Sequence, residues 1–256
     1  MTTAPGVWLG DLTWPEAKAR FDAGAVVLVP IGAGSKEHGH HLPLKTDYLL
    51  ARELSERVIA ALPVVVAPVV TLGYFPAFVR YPGSQHLRSE TFIALLEDVF
   101  SKLAKDGVQN LAVINTGVST EAPLRVAVRD IYETCGLRVN TADIRALGLD
   151  VEATMEQKLG GHGDESETSM ILAIEPESVR MERAEVDYGN GLDTPKTVFY
   201  QPSVFDGDES SGLNYSKTGV RGDPTLATAA KGEALLSAMA KELVEGLRRL
   251  YPDVLA

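Results

Sequence analysis

Three uninterrupted apolar runs, rich in β-branched residues, constrain this chain more than any other feature. They are Ala25-Val26-Val27-Leu28-Val29-Pro30-Ile31, the segment from Val64 to Val70, and the segment from Leu111 to Ile114. A strand with one wet face alternates polar and apolar residues, whereas a continuous run demands cover on both faces, as in a parallel sheet between helices. Helical periodicity fills the intervals. Tyr48, Leu49, Leu50, Leu54, Val58 and Ile59 form one apolar stripe, and Phe92, Leu95, Leu96, Val99, Phe100 and Leu103 form a second that ends at Gly107. Thr13-Trp14-Pro15-Glu16 has capping-box spacing and predicts a short helix stopping at Gly24. The alternation predicts an α/β layered fold with a mostly parallel central sheet flanked by helices, and functional groups on the loops after the carboxyl ends of the strands.

Beyond about Leu147 the pattern loosens. It predicts short helices over 152–159 and 167–174, a Gly- and Asp-rich stretch from Asp187 to Gly222, and a final amphipathic helix from Pro224 to Leu250. No linker-like composition divides residues 1–256, so a single domain is expected. Twenty-four basic residues against 35 acidic ones leave a net charge of −11, which repels a nucleic-acid backbone. Cys135 is the only cysteine, which forbids an intrachain disulfide and fits a reducing, cytoplasmic setting. The N-terminus lacks a basic and apolar leader, and no apolar run reaches the roughly 18 residues of a membrane span, so no membrane partner is expected. A Gly-x-Ser-x-Gly elbow, a phosphate-binding Gly-Lys-Ser/Thr loop and a Cys-x-x-Cys pair are all missing.

Histidine usage is uneven. His38, His40 and His41 fall within four residues, in Lys36-Glu37-His38-Gly39-His40-His41-Leu42-Pro43-Leu44-Lys45-Thr46-Asp47, just after the first apolar run. Imidazoles beside carboxylates on a loop anchored to a sheet suit a divalent ion, although a solvated polar loop reads the same way from spacing alone. The second cluster is Gly161-His162-Gly163-Asp164-Glu165-Ser166-Glu167, ahead of an apolar helix. Taken singly, Asp164 or Glu167 reads as a helix cap.

Four ordered segments resemble the creatininase family. The run from His38 to Asp47 is similar to its Glu-Gln-His-Gly-Pro-His-Leu-Pro-Leu-x-Thr-Asp. Tyr81-Pro82-Gly83-Ser84 is similar to its Phe-Pro-Gly-Thr, and His162 to Ser169 to its His-Ala-Gly-Glu-x-Glu-Thr-Ser. Thr218-Gly219-Val220-Arg221-Gly222-Asp223-Pro224 is similar to its closing Gly-Val-x-Gly-Asp-Pro. The resemblance implies a creatininase-like layered fold, assembly as a homo-oligomer, often a hexamer, and a metal-dependent hydrolase acting on a small molecule. In that family two ions share a bridging aspartate.

The chain departs from this pattern at two places. Gapless alignment puts His38 and Asp47 on a metal histidine and the bridging aspartate, but Lys36 on a metal glutamate; a one-residue shift gives Glu37 that role instead. The family's Asn-Gly-His-Gly-Gly-Asn turn reads Asn115-Thr116-Gly117-Val118-Ser119-Thr120, leaving Gly117 where a ligand histidine belongs. Both losses fall on one ion, so the expectation is a single divalent ion, Zn or Mn, held by His38, Asp47 and Glu165. Glu37 is the alternative ligand, and Glu167 a further ligand or supporting acid. Lys36 would replace the second cation, and His162 would carry protons.

The expected reaction is attack by a metal-bound water on the carbonyl of a small cyclic amide or formamide. The alternatives are hydrolysis of a carbon–carbon bond in a small cyclic diketone, and a non-catalytic, ligand-binding descendant. Tyr74, Phe75, Phe78, Arg80 and Tyr81 are candidates for a substrate wall with one cation.

Overall fold

The computed structural model describes residues 6–189, 192, 197–199, 201–202 and 204–255. The apolar runs become the centre of a five-stranded, wholly parallel sheet with strand order β1-β3-β2-β4-β5. The elements are β1 (Val7–Trp8), α1 (Trp14–Asp22), β2 (Val26–Ile31), α2 (Thr46–Ala61), β3 (Val65–Val66), α3 (Ser89–Lys105), β4 (Asn110–Asn115), α4 (Glu121–Cys135) and β5 (Val139–Asp143). They are followed by α5 (Leu149–Glu152), α6 (Glu165–Ile174), α7 (Ala229–Leu250) and α8 (Pro252–Leu255).

Side-chain alternation in β2 and β4 supplies both faces of the core. Val26, Leu28, Ala112 and Ile114 pack with Leu50 and Leu54 of α2, Ile171 of α6 and Leu235 of α7. Val27, Val29, Ile31, Leu111 and Val113 pack with Phe21 of α1, Phe92, Leu96 and Phe100 of α3, and Leu124 and Ile131 of α4. The expected capping box is present at α1, where the Glu16 carboxylate accepts the Thr13 N–H at 2.7 Å.

Three sequence expectations are corrected. The run from Val64 to Val70 pairs as a strand only at Val65–Val66, because Pro68 has no N–H to give to a ladder; Val70 makes an isolated bridge to Ile31. The short helix expected over 152–159 is instead the single turn α5, ending at Glu152, and the chain then turns back so that the backbone N–H groups of Glu156 and Gln157 reach Glu165. The final helix begins at Ala229, capped by Thr228, with only a 3-10 turn at Pro224–Leu226. Strands β1 and β5 escaped the sequence reading, since Val7–Trp8 is too short to show a period and Val139–Asp143 carries Asn140, Thr141 and Asp143.

Leaving β2 the chain turns through α2 towards β3, and leaving β4 it turns through α4 towards β5. The carboxyl ends of β2 and β4 therefore flank the point where the winding reverses, the crevice in which open α/β sheets place their ligands. Gly32 lets α2 close over this end. A Cβ there would stand 2.3 Å from the Asp47 carbonyl oxygen and 2.8 Å from the Ala51 side chain. Thr116, at the end of β4, bonds the carbonyl oxygens of Ile31 at 3.0 Å and Asp47 at 2.8 Å. Among the described residues no helix is long and apolar enough to cross a membrane.

Candidate metal centre

Lys36, Glu37 and His38 follow β2 and are all buried, as is Asp47 in the first turn of α2. Successive side chains of this stretch point opposite ways. Lys36 Nζ lies 2.7 Å from Asp47 Oδ2 and His38 Nε2 lies 2.9 Å from Asp47 Oδ1, whereas Glu37 turns to His162. The register left open by the sequence is thereby decided: Lys36, and not Glu37, faces the aspartate. Burial alone would push the Asp47 carboxyl up, but the Lys36 ammonium and His38 hold it well below the usual carboxylate range.

His38 Nδ1 stands 2.9 Å from the Lys36 carbonyl oxygen, an atom that only accepts, so this nitrogen carries the hydrogen. In the neutral ring Nε2 then presents a lone pair to a carboxylate oxygen at 2.9 Å. Two lone pairs face each other at that distance only with a proton or a cation to share. His162 repeats the arrangement. Its Nε2 donates to the Glu37 carbonyl oxygen at 2.8 Å, with Glu37 Oε2 at 3.0 Å, which leaves the Nδ1 lone pair turned towards Glu167 Oε2, 3.8 Å away. The two imidazoles lie 4.7 Å apart, and ligand atoms of His38, His162 and Glu167 all fall within 4.8 Å of one another. His38, His162 and Glu167 form a donor set suited to a divalent transition ion, and Asp47 stands beside His38.

Glu165 is placed elsewhere. It and Glu167 are two residues apart at the start of α6, about 200° around a helix, so they face opposite sides. Glu165 Oε1 receives Lys231 Nζ at 2.5 Å, and Oε2 receives the N–H groups of Glu156 and Gln157 at 2.9 and 2.8 Å. Asp164 is the helix cap, accepting the Glu167 N–H at 3.0 Å, and burial raises its carboxyl above the ordinary range. Glu37 is also pulled in two directions. Burial raises its carboxyl, but His162 and the Gly39 N–H bring it below the usual value. Gly219, at φ 84°, makes room for that carboxylate, since a Cβ there would lie 2.2 Å from Glu37 Oε1.

The loop after β4 holds no ligand side chain at position 117. Asn115 instead knits it together, donating to the Gly117 carbonyl at 2.8 Å and to Asp143 at 3.0 Å while accepting from Thr120 at 2.6 Å. The space between this loop and the Lys36–Asp47 pair is a cavity of about 10 Å³, room for one water.

Aromatic residues roof the site. The Phe78 ring lies tilted 4.1 Å from that of His162 and 5.1 Å from Lys36 Nζ, with Phe205 stacked on it at 4.9 Å. Phe205 gave no sequence signal, because nothing in its neighbourhood is periodic. Arg80 is ion-paired with Asp206, and the Tyr81 hydroxyl donates to the Ser216 carbonyl at 3.2 Å. His40 is exposed, and His86 packs against the rings of Tyr74 and Phe75.

His41 lies under the site, its Nε2 2.8 Å from the Thr168 hydroxyl, and burial lowers its pKa to about 4. The folded protein therefore keeps this ring neutral at pH values where the unfolded chain protonates it. Its contribution is complete above the ordinary histidine pKa of about 6.5 and is lost as pH falls towards about 4, a difference of about 3 kcal/mol. Denaturation curves of His41→Gln between pH 7 and 4 are expected to show that much less acid destabilisation than the wild type.

A family model described as creatininase, creatinine amidohydrolase, matches residues 10–247. The mycofactocin precursor peptide peptidase of Mycobacterium tuberculosis (strain CDC 1551 / Oshkosh) is 30% identical, over 89% of this chain and 86% of its own. The 3-dehydro-scyllo-inosose hydrolase of Thermotoga maritima is 26% identical, over 98% of this chain and 87% of its own. A manganese creatininase structure superposes with TM-score 0.81 at 25% identity, covering 96% of this chain and 99% of that one. The parallel sheet, the motifs gathered at its carboxyl rim and a match across nearly the whole chain establish it as a member of the creatininase family of metal-dependent hydrolases.

Proposed function

We propose that this chain hydrolyses a small cyclic amide or formamide with one divalent ion, zinc or manganese, held by His38, Asp47 and Glu167. The observation that carries the reading is the buried approach of His38 Nε2 to Asp47 Oδ1 at 2.9 Å, beside ligand atoms of His38, His162 and Glu167 that lie within 4.8 Å of one another. An ion bound there supplies Lewis acidity, acidifying a water and polarising a carbonyl oxygen. The chain's own residues do the rest. The ammonium of Lys36, buried against Asp47, stands in for a second cation and keeps positive charge where negative charge develops on the substrate oxygen. His162 moves the proton through Nδ1, while Glu37 holds Nε2–H and so fixes the tautomer and the ring. Phe78 and Phe205 keep bulk water off these groups. The acidic surface, the single cysteine and the family likeness support a cytoplasmic homo-oligomer acting on a small molecule.

The likeness to 3-dehydro-scyllo-inosose hydrolase favours a second reading, cleavage of a carbon–carbon bond in a small cyclic diketone. It uses the same donors and changes only the group that His162 protonates.

Elemental analysis of tag-free protein tests the first claim, with about one equivalent of zinc or manganese expected per chain and none in His38→Ala. Chelation is expected to abolish turnover of cyclic amides or formamides, and adding back the ion to restore it. Full activity after demonstrated metal removal would defeat the metal reading, and two equivalents would defeat the single-ion form. Turnover of diketones but not amides would select the second reaction.

A further inference from the structure

Arg221 lies across the strand-like bridge from His162, each residue donating its N–H to the other's carbonyl, at 2.8 and 3.3 Å. Its guanidinium is laid over the Phe205 ring at 4.6 Å, and Phe205 in turn stands 5.4 Å from the His162 ring. The group is thus joined through Phe205 to the aromatic roof of the same site. Among the described residues its Nε and Nη2 have no hydrogen-bond partner, although both atoms are buried. These two nitrogens form one edge of the guanidinium, with parallel N–H vectors spaced to match the two oxygens of a carboxylate.

No described residue nearby satisfies that edge. Asp187 exerts a favourable charge on Arg221 but makes no ion pair with it. Its Oδ1 receives the Gly189 N–H at 2.8 Å, and its Oδ2 receives Ser216 Oγ, Thr218 N–H and Thr218 Oγ1 at 2.9–3.0 Å. Tyr81, whose hydroxyl burial pushes up to about 12, is already donating to Ser216. On the Nη2 side stands Gly189, at φ 49°, where a Cβ would meet the Tyr215 carbonyl oxygen at 2.3 Å and sit 3.6 Å from the nitrogen, so this flank is lined by backbone that carries no side chain. Leaving two buried donors of a cation unmatched is costly, of order a few kcal/mol. Arg80, the cation expected for this wall from the sequence, is spent on Asp206, and Lys36 on Asp47.

Resting on the reading of the site as a hydrolase pocket, we propose that Arg221 is its specificity residue, taking a carboxylate of the substrate side-on through Nε–H and Nη2–H. The substrate is then a small amide, or a cyclic ketone, that bears a carboxylate held away from the scissile carbonyl. Phe205 sets the plane of the fork and so the orientation in which the carbonyl meets His162.

The test is calorimetric titration of malonate, with the neutral diamide malonamide as control, into the protein as purified and into the same protein after chelation. Malonate is expected to bind both forms and malonamide neither, with Arg221→Gln weakening malonate at least about tenfold. Arg221→Lys keeps the charge and loses the fork, so an intermediate loss is expected, and this variant carries the test if Arg221→Gln does not fold. Unchanged malonate affinity in either folded variant, equal binding of malonamide, or malonate binding that disappears on chelation would each overturn the assignment. Metal content stays as in the wild type if only the Arg221 assignment fails; a protein that holds no ion has failed the hydrolase reading instead.

Discussion

Lys36→Met is expected to lower the stability of the metal-depleted protein by about 3–5 kcal/mol, the cost of stranding one charge of a buried pair. The pair is well buried, with side-chain exposures of 8% for Lys36 and 1% for Asp47, and its contact is 2.7 Å. The double variant Lys36→Met/Asp47→Asn removes both charges and is expected to recover most of the loss. Denaturant titration in chelator measures it, and a Lys36→Met protein within about 1 kcal/mol of wild type would mean that the ammonium does not compensate the aspartate. Repeating the titration with zinc or manganese separates the two sources of positive charge. An ion bound next to Asp47 replaces part of what Lys36 supplied, so the difference between wild type and variant is expected to shrink.

The second large effect is a contrast between two glutamates in adjacent half-turns. Glu167→Gln is expected to weaken metal binding by at least about 100-fold and to reduce turnover in step, with little change in the stability of the chelated protein. Glu165→Gln is expected to do the opposite. It loses a charge-assisted bond to Lys231 and disturbs the turn that presents two N–H groups to Oε2, costing about 2–3 kcal/mol of stability while leaving the metal content intact. Elemental analysis and denaturation of the two variants read both quantities. The reverse pattern would return the ligand role to Glu165.

Glu165 and Glu167 also mark the limit of the sequence reading. The motif from His162 to Ser169 located the segment and its acids, but which acid meets the imidazoles depends on where α6 begins. Asp164 caps the helix, and a start one residue earlier or later would have rotated both side chains by about 100°. Lys36 and Glu37 posed the same kind of problem. Their neighbours Gly32 to Ser35 allow either register, and it took the contacts with Asp47 and His162 to separate them.

Periodicity and composition alone located the central strands of the parallel sheet, helices that cover it, the rim after those strands, and the pool of imidazoles and carboxylates from which a metal centre could be drawn. Those properties are written along the chain, because a strand buried on both faces must be continuously apolar and an amphipathic helix must repeat every 3.6 residues. Tertiary structure alone decided the pairing of Lys36 with Asp47, the turning of Glu37 to His162, the placing of Glu167 beside the imidazoles and of Glu165 beside Lys231, and the unmatched edge of Arg221 against Phe205. Each of these joins residues from segments far apart in sequence, or fixes the phase of a side chain about its own backbone. Such choices are made by packing and by the cost of an unpaired buried charge, and neither leaves a local trace in the order of residues.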